Sequence, residues 1–388
     1  MRIDVRVPQQ PLAKDCRHWR SDRPCVWHKR EGLECVCHRY DPVRERILIV
    51  KLDAMGDVLR STCVLPGLRE RHAGASIDWI TRSESVPLFR ENPLVDRVIP
   101  YGADALLALA AGEYDHVINL DAARTSCELA TLAKGKVKTG FILSPAGHIE
   151  ATNAEAESWL RMGVSDVLKK RNARSYQEIM GSILDLPAAS LRYVFHLASD
   201  EVASSVRLLR ELGVREDAAV VGLATGAGGR WPLKQWREEG FAKLIEQLRA
   251  RFAERLQIVL LGGPEEKEKN ARLRKRFGDA VVDTGCDNPV RQFAGLLRGC
   301  DVVVTGDTLA MHLALAQQRR TAVLFGPTSY HEIELFGLGE KIYPSMDCLG
   351  CYLTACDKKP NCMQEIKTST VFAAVVEQLE RARPGFAS

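Results

Sequence analysis

Short apolar runs rich in β-branched residues alternate along this chain with longer stretches of helical period. ILIVKL (47–52) reads as a buried strand, and DVLRSTCVLPGLRERH (57–72) as the helix that follows it. SIDWIT, DRVIPY and DHVINL read as further strands, with helix-like sequence between them. From 142 to 195 the rhythm fades into SPAGHIEATNAEAESWLRMG, a loop and helix, and RNARSYQEIMGSILDL, another helix. A second series then begins. SDEVASSVRLLRELG is an amphipathic helix with Ser199 or Asp200 as its N-cap, and AVVGLATG, QIVLLGG, DVVVTG and TAVLFG are strands with helices between. TSTVFAAVVEQLERA closes the chain as a helix. Strands alternating with helices predict parallel sheets built from βαβ units. Two such series in 388 residues predict two domains.

At the ends of these strands the polar residues have one address, because open α/β sheets bind ligands beyond the carboxyl ends of their strands. Gly56-Asp57 and Gly306-Asp307 each follow a buried run and open a helix. Asp57 there reads either as an N-cap that satisfies free backbone N–H groups or as a general base at the mouth of the sheet. In the second half, Thr225-Gly226-Ala227-Gly228-Gly229-Arg230, Gly262-Gly263-Pro264-Glu265, Gly306-Asp307-Thr308 and Gly326-Pro327-Thr328 all sit at strand ends. Gly-rich turns before helices present N–H groups to phosphates. Arg230 offers a fixed charge to a diphosphate, Glu265 an acceptor for ribose hydroxyls, and His312 a donor one helical turn beyond Asp307. No Asp-x-Asp pair occurs, so a divalent cation held against a diphosphate is not expected.

Composition narrows the class. Hydrophobic residues make up 46% and charged residues 27%, as in a globular protein, and no apolar run is long enough for a membrane span. The first residues carry no apolar signal core, so secretion by that route is not expected. A net charge of +4 is too mild for nucleic acid and suits anionic small molecules or weak contact with an anionic membrane surface. Eight of the twelve cysteines fall in two groups, which points to metal rather than disulfides. Cys348, Cys351, Cys356 and Cys362 have the compact spacing of a four-thiolate site, whereas Cys16, Cys25, Cys35 and Cys37 are looser and accompanied by His18, His28 and His38. A structural zinc is the expectation, with an iron–sulfur cluster the alternative that spacing leaves open. Reduced structural thiols are the simpler reading of both groups.

The segments VKLDAMGDVLRSTCVLPGLRERHAGASIDWIT, GLATGAGGRWPLKQW, LLGGPEEKE, VVVTGDTLAMHLALA and VLFGPTSYHEIELFG, in that order, resemble ADP-heptose heptosyltransferases of glycosyltransferase family 9. The resemblance runs from about 46 to 380. It implies a GT-B fold, two Rossmann-like domains with parallel sheets facing a central cleft, here with a cysteine-rich N-terminal extension. The domains expected are 1–45 (the extension), 46–195 (acceptor), 196–366 (nucleotide sugar, including cysteine segment 348–362), and 367–388, a helix packing back on the N-terminal domain. The implied activity is inverting, without a catalytic divalent cation. It moves a sugar, heptose from an ADP-sugar, to a saccharide or glycolipid acceptor in the cytoplasm or at the inner membrane face.

By the same resemblance Asp57 is the general base. Thr225 and Gly226 meet the donor phosphates, with Ala227 and Gly56 beside them, and Glu265 meets the ribose. Asp307, Thr308 and His312 meet the donor sugar and diphosphate, with Gly326, Pro327 and Thr328 nearby. Where the family often has Lys before Arg-Trp-Pro this chain has Gly229, and where it often has Gly after the matched Asp-Thr this chain has Leu309. The rival readings are a transferase using another nucleotide sugar or a protein acceptor, and a non-catalytic nucleotide-binding or redox-responsive metalloprotein.

Overall fold

The structure, a computed structural model, describes residues 11–229 and 231–386. The apolar runs become twelve strands: β1 Glu45–Val50, β2 Ala75–Thr81, β3 Arg97–Pro100, β4 Tyr114–Asn119, β5 Gly135–Leu143, β6 Ile149–Ala151, β7 Ala219–Ala224, β8 Leu256–Leu261, β9 Val281–Asp283, β10 Val302–Gly306, β11 Arg320–Leu324 and β12 Gly339–Ile342. They form two six-stranded sheets, β3-β2-β1-β4-β5-β6 and β12-β11-β10-β7-β8-β9. Numbered within its own half, each sheet has the doubly wound order 3-2-1-4-5-6. Every pairing is parallel except β5 with β6, a hairpin formed where the sequence suggested only a loop. The central strands β1, β7 and β10 are buried on both faces, which is why they read as unbroken apolar runs rather than alternating ones.

Helix boundaries show where local signals were overridden. The helix expected over 57–72 is three pieces, Met55–Ser61, a 3-10 turn Thr62–Val64 and Leu65–Arg71, because Pro66 cannot continue the first helix and instead starts the last. Helix Ser199–Glu211 is preceded by Ala198, so neither Ser199 nor Asp200 is its cap. Instead Glu201 reaches back to the Ala198 N–H at 2.8 Å. The last helix, Thr368–Ala382, packs against helix Glu238–Phe252 and strands β10, β11 and β12. Its buried Val371, Ala374, Val375 and Leu379 belong to the C-terminal core, which corrects the expectation that it returns to the N-terminal domain.

One apolar cluster spans both halves, from Ile47, Val58 and Leu59 to Leu296, Ala310 and Leu313. Helix Leu309–Ala316 lies directly on Met55–Ser61, so the carboxyl ends of the two sheets face each other at short range. No described helix is long and apolar enough to cross a membrane.

Candidate functional site

Three contiguous pockets run through the cleft. A central one, about 400 Å³, contains Asp57, Arg60, Lys234, Asp307, His312 and Glu332. It shares Asp53, Ala54 and Arg60 with a pocket of about 660 Å³ on the N-terminal domain. On the other side it shares Met55, Ala227, Thr308 and Leu309 with a pocket of about 410 Å³ lined by the glycine turns.

Asp57 lies in the first turn of helix Met55–Ser61 but does not cap it. Its Oδ1 pairs with Arg60 Nη2 at 2.7 Å, one turn along the same helix. Burial by itself would raise the Asp57 carboxyl, yet Arg60, Lys51 and His312 outweigh it and hold it below the usual carboxylate range. Arg60 is stacked on Tyr176, 3.8 Å from the ring centre, so the cation that sets this charge is itself immobilised.

Asp307 faces it from the C-terminal domain. Its Oδ2 accepts from Lys234 Nζ and from Thr328 Oγ1, both at 2.8 Å. Against the cost of burial, Lys234 and His312 bring its carboxyl down to about 2. His312 is buried, and burial lowers its imidazole to about 4, so the ring is neutral near pH 7. Gln177 donates to Tyr193 Oη at 2.7 Å, and Tyr193 Oη lies 3.0 Å from His312 Nδ1. That chain assigns the Tyr193 proton to Nδ1 and leaves an Nε2–H. The Cδ2–Nε2 edge of the ring faces Gly56, since a Cβ placed there would lie 3.1 Å from Cδ2 and 3.7 Å from Nε2.

Of the residues singled out in the sequence, Gly56, Asp57, Ala227, Asp307, Thr308, His312 and Thr328 converge on the central pocket, and Gly226 lines the glycine-rich one. Four do not line the cleft. Thr225 is buried with its hydroxyl on Asn270 Oδ1 at 2.5 Å, and Gly326 is packed against Cys362 and Met363. Pro327 is buried beside it. Glu265 is exposed, and its neighbour Glu266 takes the inward place. Glu266 Oε2 accepts the Gly263 N–H at 2.9 Å, while Oε1 is buried without a partner. Arg230 lies outside the described residues. Lys234 is the cation that the C-terminal domain brings to the central pocket, and sequence reading passed over it because no glycine turn or strand end marks it.

The twelve cysteines are all free thiols. Cys16, Cys25, Cys35 and Cys37 line one cavity of about 520 Å³ together with His18 and His28, and Cys25 Sγ caps the helix Val26–Glu31. Burial pushes the Cys362 thiol up to about 11, with Cys351, Cys348 and Cys356 adding to the effect, so each of the three lies within electrostatic reach of Cys362. Among the described residues, however, the group of metal-ligating atoms lying within 4.8 Å of one another is Glu45, His72 and His116, at the amino end of β1 and away from the cleft.

The model of the family described as Glycosyltransferase family 9 (heptosyltransferase) matches residues 106–364. The chain is 26% identical over 318 residues to lipopolysaccharide heptosyltransferase 1 of Escherichia coli K12, covering 76% of this chain and 92% of that one. A glycosyl transferase of family 9 from Veillonella parvula superposes with a TM-score of 0.72 at 18% identity, covering 87% of this chain and 98% of the other. TibC of enterotoxigenic Escherichia coli, an iron-containing dodecameric glycosyltransferase, superposes with a TM-score of 0.54 at 12% identity over 87% of this chain and 77% of its own. TibC has also been solved with ADP-D-β-D-heptose.

Proposed function

The chain belongs to glycosyltransferase family 9, and on that premise we propose that it transfers a sugar from an ADP-sugar, heptose foremost, to a saccharide of a lipopolysaccharide core or related surface glycan. The observation that carries this reading is the pair of opposed carboxylates. Asp57, from the N-terminal domain, and Asp307, held by Lys234 and Thr328 of the C-terminal domain, both line the central pocket. The donor nucleotide belongs in the glycine-rich pocket, where the unpartnered Glu266 Oε1 is the acceptor for ribose hydroxyls, the role expected of Glu265. The acceptor sugar belongs in the N-terminal pocket beside Lys51, Arg60 and Arg82.

With donor and acceptor so placed, the acceptor hydroxyl attacks the anomeric carbon from the face opposite the nucleotide. As the new C–O bond forms, the oxygen becomes acidic and its proton passes to the Asp57 carboxylate. The bond from the anomeric carbon to the phosphate oxygen breaks, its electron pair leaves with ADP, and configuration inverts. A depressed Asp57 suits this order of events, since it stays ionised until a strongly acidic proton is offered. Charge building on the diphosphate is met by the Lys234 ammonium, the His312 Nε2–H and the N–H groups of the glycine turns. None of these steps calls on a divalent cation. The apolar contact between helices Leu309–Ala316 and Met55–Ser61 limits water at the reacting atoms.

A structural metal is part of the same reading. The thiols of Cys348, Cys351, Cys356 and Cys362 would hold it, because thiolates are donors suited to zinc and iron alike, and it would tie the cysteine segment to the catalytic body. Zinc is the assignment, and iron, as TibC contains, is the alternative that visible colour would reveal. The cavity lined by Cys16, Cys25, Cys35 and Cys37 is a second candidate. The working place proposed is the cytoplasm, at the inner membrane face where a glycolipid acceptor would be met.

The test joins a donor screen to one substitution. ADP-heptose and ADP should raise the unfolding temperature of the protein while UDP- and GDP-sugars do not. Asp57→Ala should lower kcat by about 10²–10⁴-fold with ADP affinity retained. Stabilisation by UDP-sugars alone overturns the donor, and an Asp57→Ala variant that turns over normally overturns the mechanism.

A further inference from the structure

The cysteine segment reaches the catalytic pocket. The Gly350 N–H donates to Gly326 O at 3.2 Å and the Tyr352 N–H to Pro327 O at 2.7 Å, so the segment is docked along the turn that follows β11. Tyr352, next to Cys351, has a φ of 54°, a left-handed backbone that bulky residues seldom adopt. Its ring lies in the central pocket with Asp57 and Asp307. There the Tyr352 hydroxyl donates to Glu332 Oε1 at 2.8 Å and accepts the Ser329 N–H at 3.3 Å. Lys169 of the N-terminal domain stands over the same ring, 4.8 Å from its centre.

With both hydrogen-bonding directions of its hydroxyl spent within the protein, Tyr352 can orient a neighbour but has little left for a ligand. Glu332 is in the opposite position. Its backbone is pinned by the Tyr176 N–H, which donates to Glu332 O at 2.9 Å, and its Oε1 is held by Tyr352. Its Oε2 has no hydrogen-bond partner among the described residues, and the side chain lines the central pocket. Of the two cations near it, Arg60 is committed to Asp57 and Lys169 stands over the Tyr352 ring. A carboxylate oxygen left over in a pocket of about 400 Å³ repels a diphosphate and accepts hydrogen bonds from neutral hydroxyls. Thr328, four residues earlier in the same loop, bonds Asp307, so Glu332 enters the central pocket from the C-terminal domain, which carries the glycine turns.

We propose that Glu332 recognises a hydroxyl of the sugar being transferred, and that Tyr352, docked by the cysteine segment, is its positioning residue. The inference rests on the glycosyl-transfer reading and adds to it a contact to the sugar ring itself. It also gives the cysteine segment a place in substrate recognition.

The full chain is tested with two probes, ADP and ADP-heptose, so that nucleotide binding serves as the control for folding. In Glu332→Ala, affinity for ADP-heptose should fall about 10–100-fold, the loss of a hydrogen bond to a charged group, with ADP affinity unchanged. Glu332→Gln should recover part of the loss, because its amide oxygen still accepts. Tyr352→Phe, which keeps the ring, should raise the KM for ADP-heptose about threefold or more with acceptor KM and ADP affinity unchanged. Equal weakening of ADP and ADP-heptose overturns the proposal, as does unchanged ADP-heptose affinity or a loss confined to the acceptor. A wild-type protein that neither binds nor turns over any ADP-sugar overturns the glycosyl-transfer reading, and this inference with it, before a variant is made.

Discussion

At Asp57 the carboxylate and the Arg60 guanidinium are 2.7 Å apart on one helix face, and that pair governs how the site responds to pH. A depressed carboxyl remains ionised as pH falls until it drops below the ordinary carboxylate range near 4. His312, brought down to about 4, is likewise neutral from there upward. Turnover should therefore show no acid limb from these groups between about pH 5 and 8. Arg60→Met removes the largest influence opposing burial, so the Asp57 carboxyl should rise and carry the acid limb of kcat up by about 1–3 pH units. The reading is the position of the limb in a pH–rate profile, and a limb that stays where it was refutes the pairing. Asp57 and Asp307 drew notice because each follows a buried run and opens a helix, although that position alone suited an N-cap as well as a base. Arg60, Lys234 and Glu332 did not, since a charged residue on a helix or in a loop carries no mark of the direction in which it points.

Among the elements, the turn from β7 into the glycine loop shows how backbone and side chain share one space. A Cβ on Gly226 would stand 1.8 Å from Glu266 Oε1, so any larger residue must displace a buried carboxylate that also holds the Gly263 N–H. Gly226→Ala should weaken ADP about tenfold by titration calorimetry while lowering the unfolding temperature by only about 2–4 °C. A loss of stability with ADP affinity intact would remove Glu266 from the nucleotide site. Central strands such as β1, β8 and β10 were evident because each is an apolar run buried on both faces. The edge strands β6, β9 and β12 have three or four residues apiece and only make sense once a neighbour pairs with them. The same holds for Glu265 and Glu266. The motif names the turn, and the turn's geometry chooses which of two adjacent glutamates looks inward.

Across the whole molecule, Arg291 braces one domain against the other. It donates to Pro87 O at 2.9 Å and Arg90 O at 3.2 Å in the N-terminal half, and to Glu201 Oε2 at 2.5 Å and His196 O at 2.6 Å beyond it. That hydrogen bonding brings the Glu201 carboxyl down to about 2. A folded-state value below the unfolded one contributes stability that is complete above about pH 4.5 and fades as pH falls toward 2. Arg291→Met should cost roughly 3 kcal/mol in denaturant unfolding, since it takes the main partner from the Glu201 carboxylate and leaves several carbonyls without a donor, and should flatten the acid dependence between those limits. Unchanged unfolding would show that the brace is dispensable. The alternation of strands and helices already determined two doubly wound domains, because hydrophobic period and strand-end glycines are local properties that survive reading in one dimension. The opposition of Asp57 to Asp307, the brace at Arg291, and the docking of Tyr352 onto Glu332 join residues far apart in the chain. They exist only when two cores pack together, since burial and direction belong to the packed molecule rather than to any stretch of its sequence.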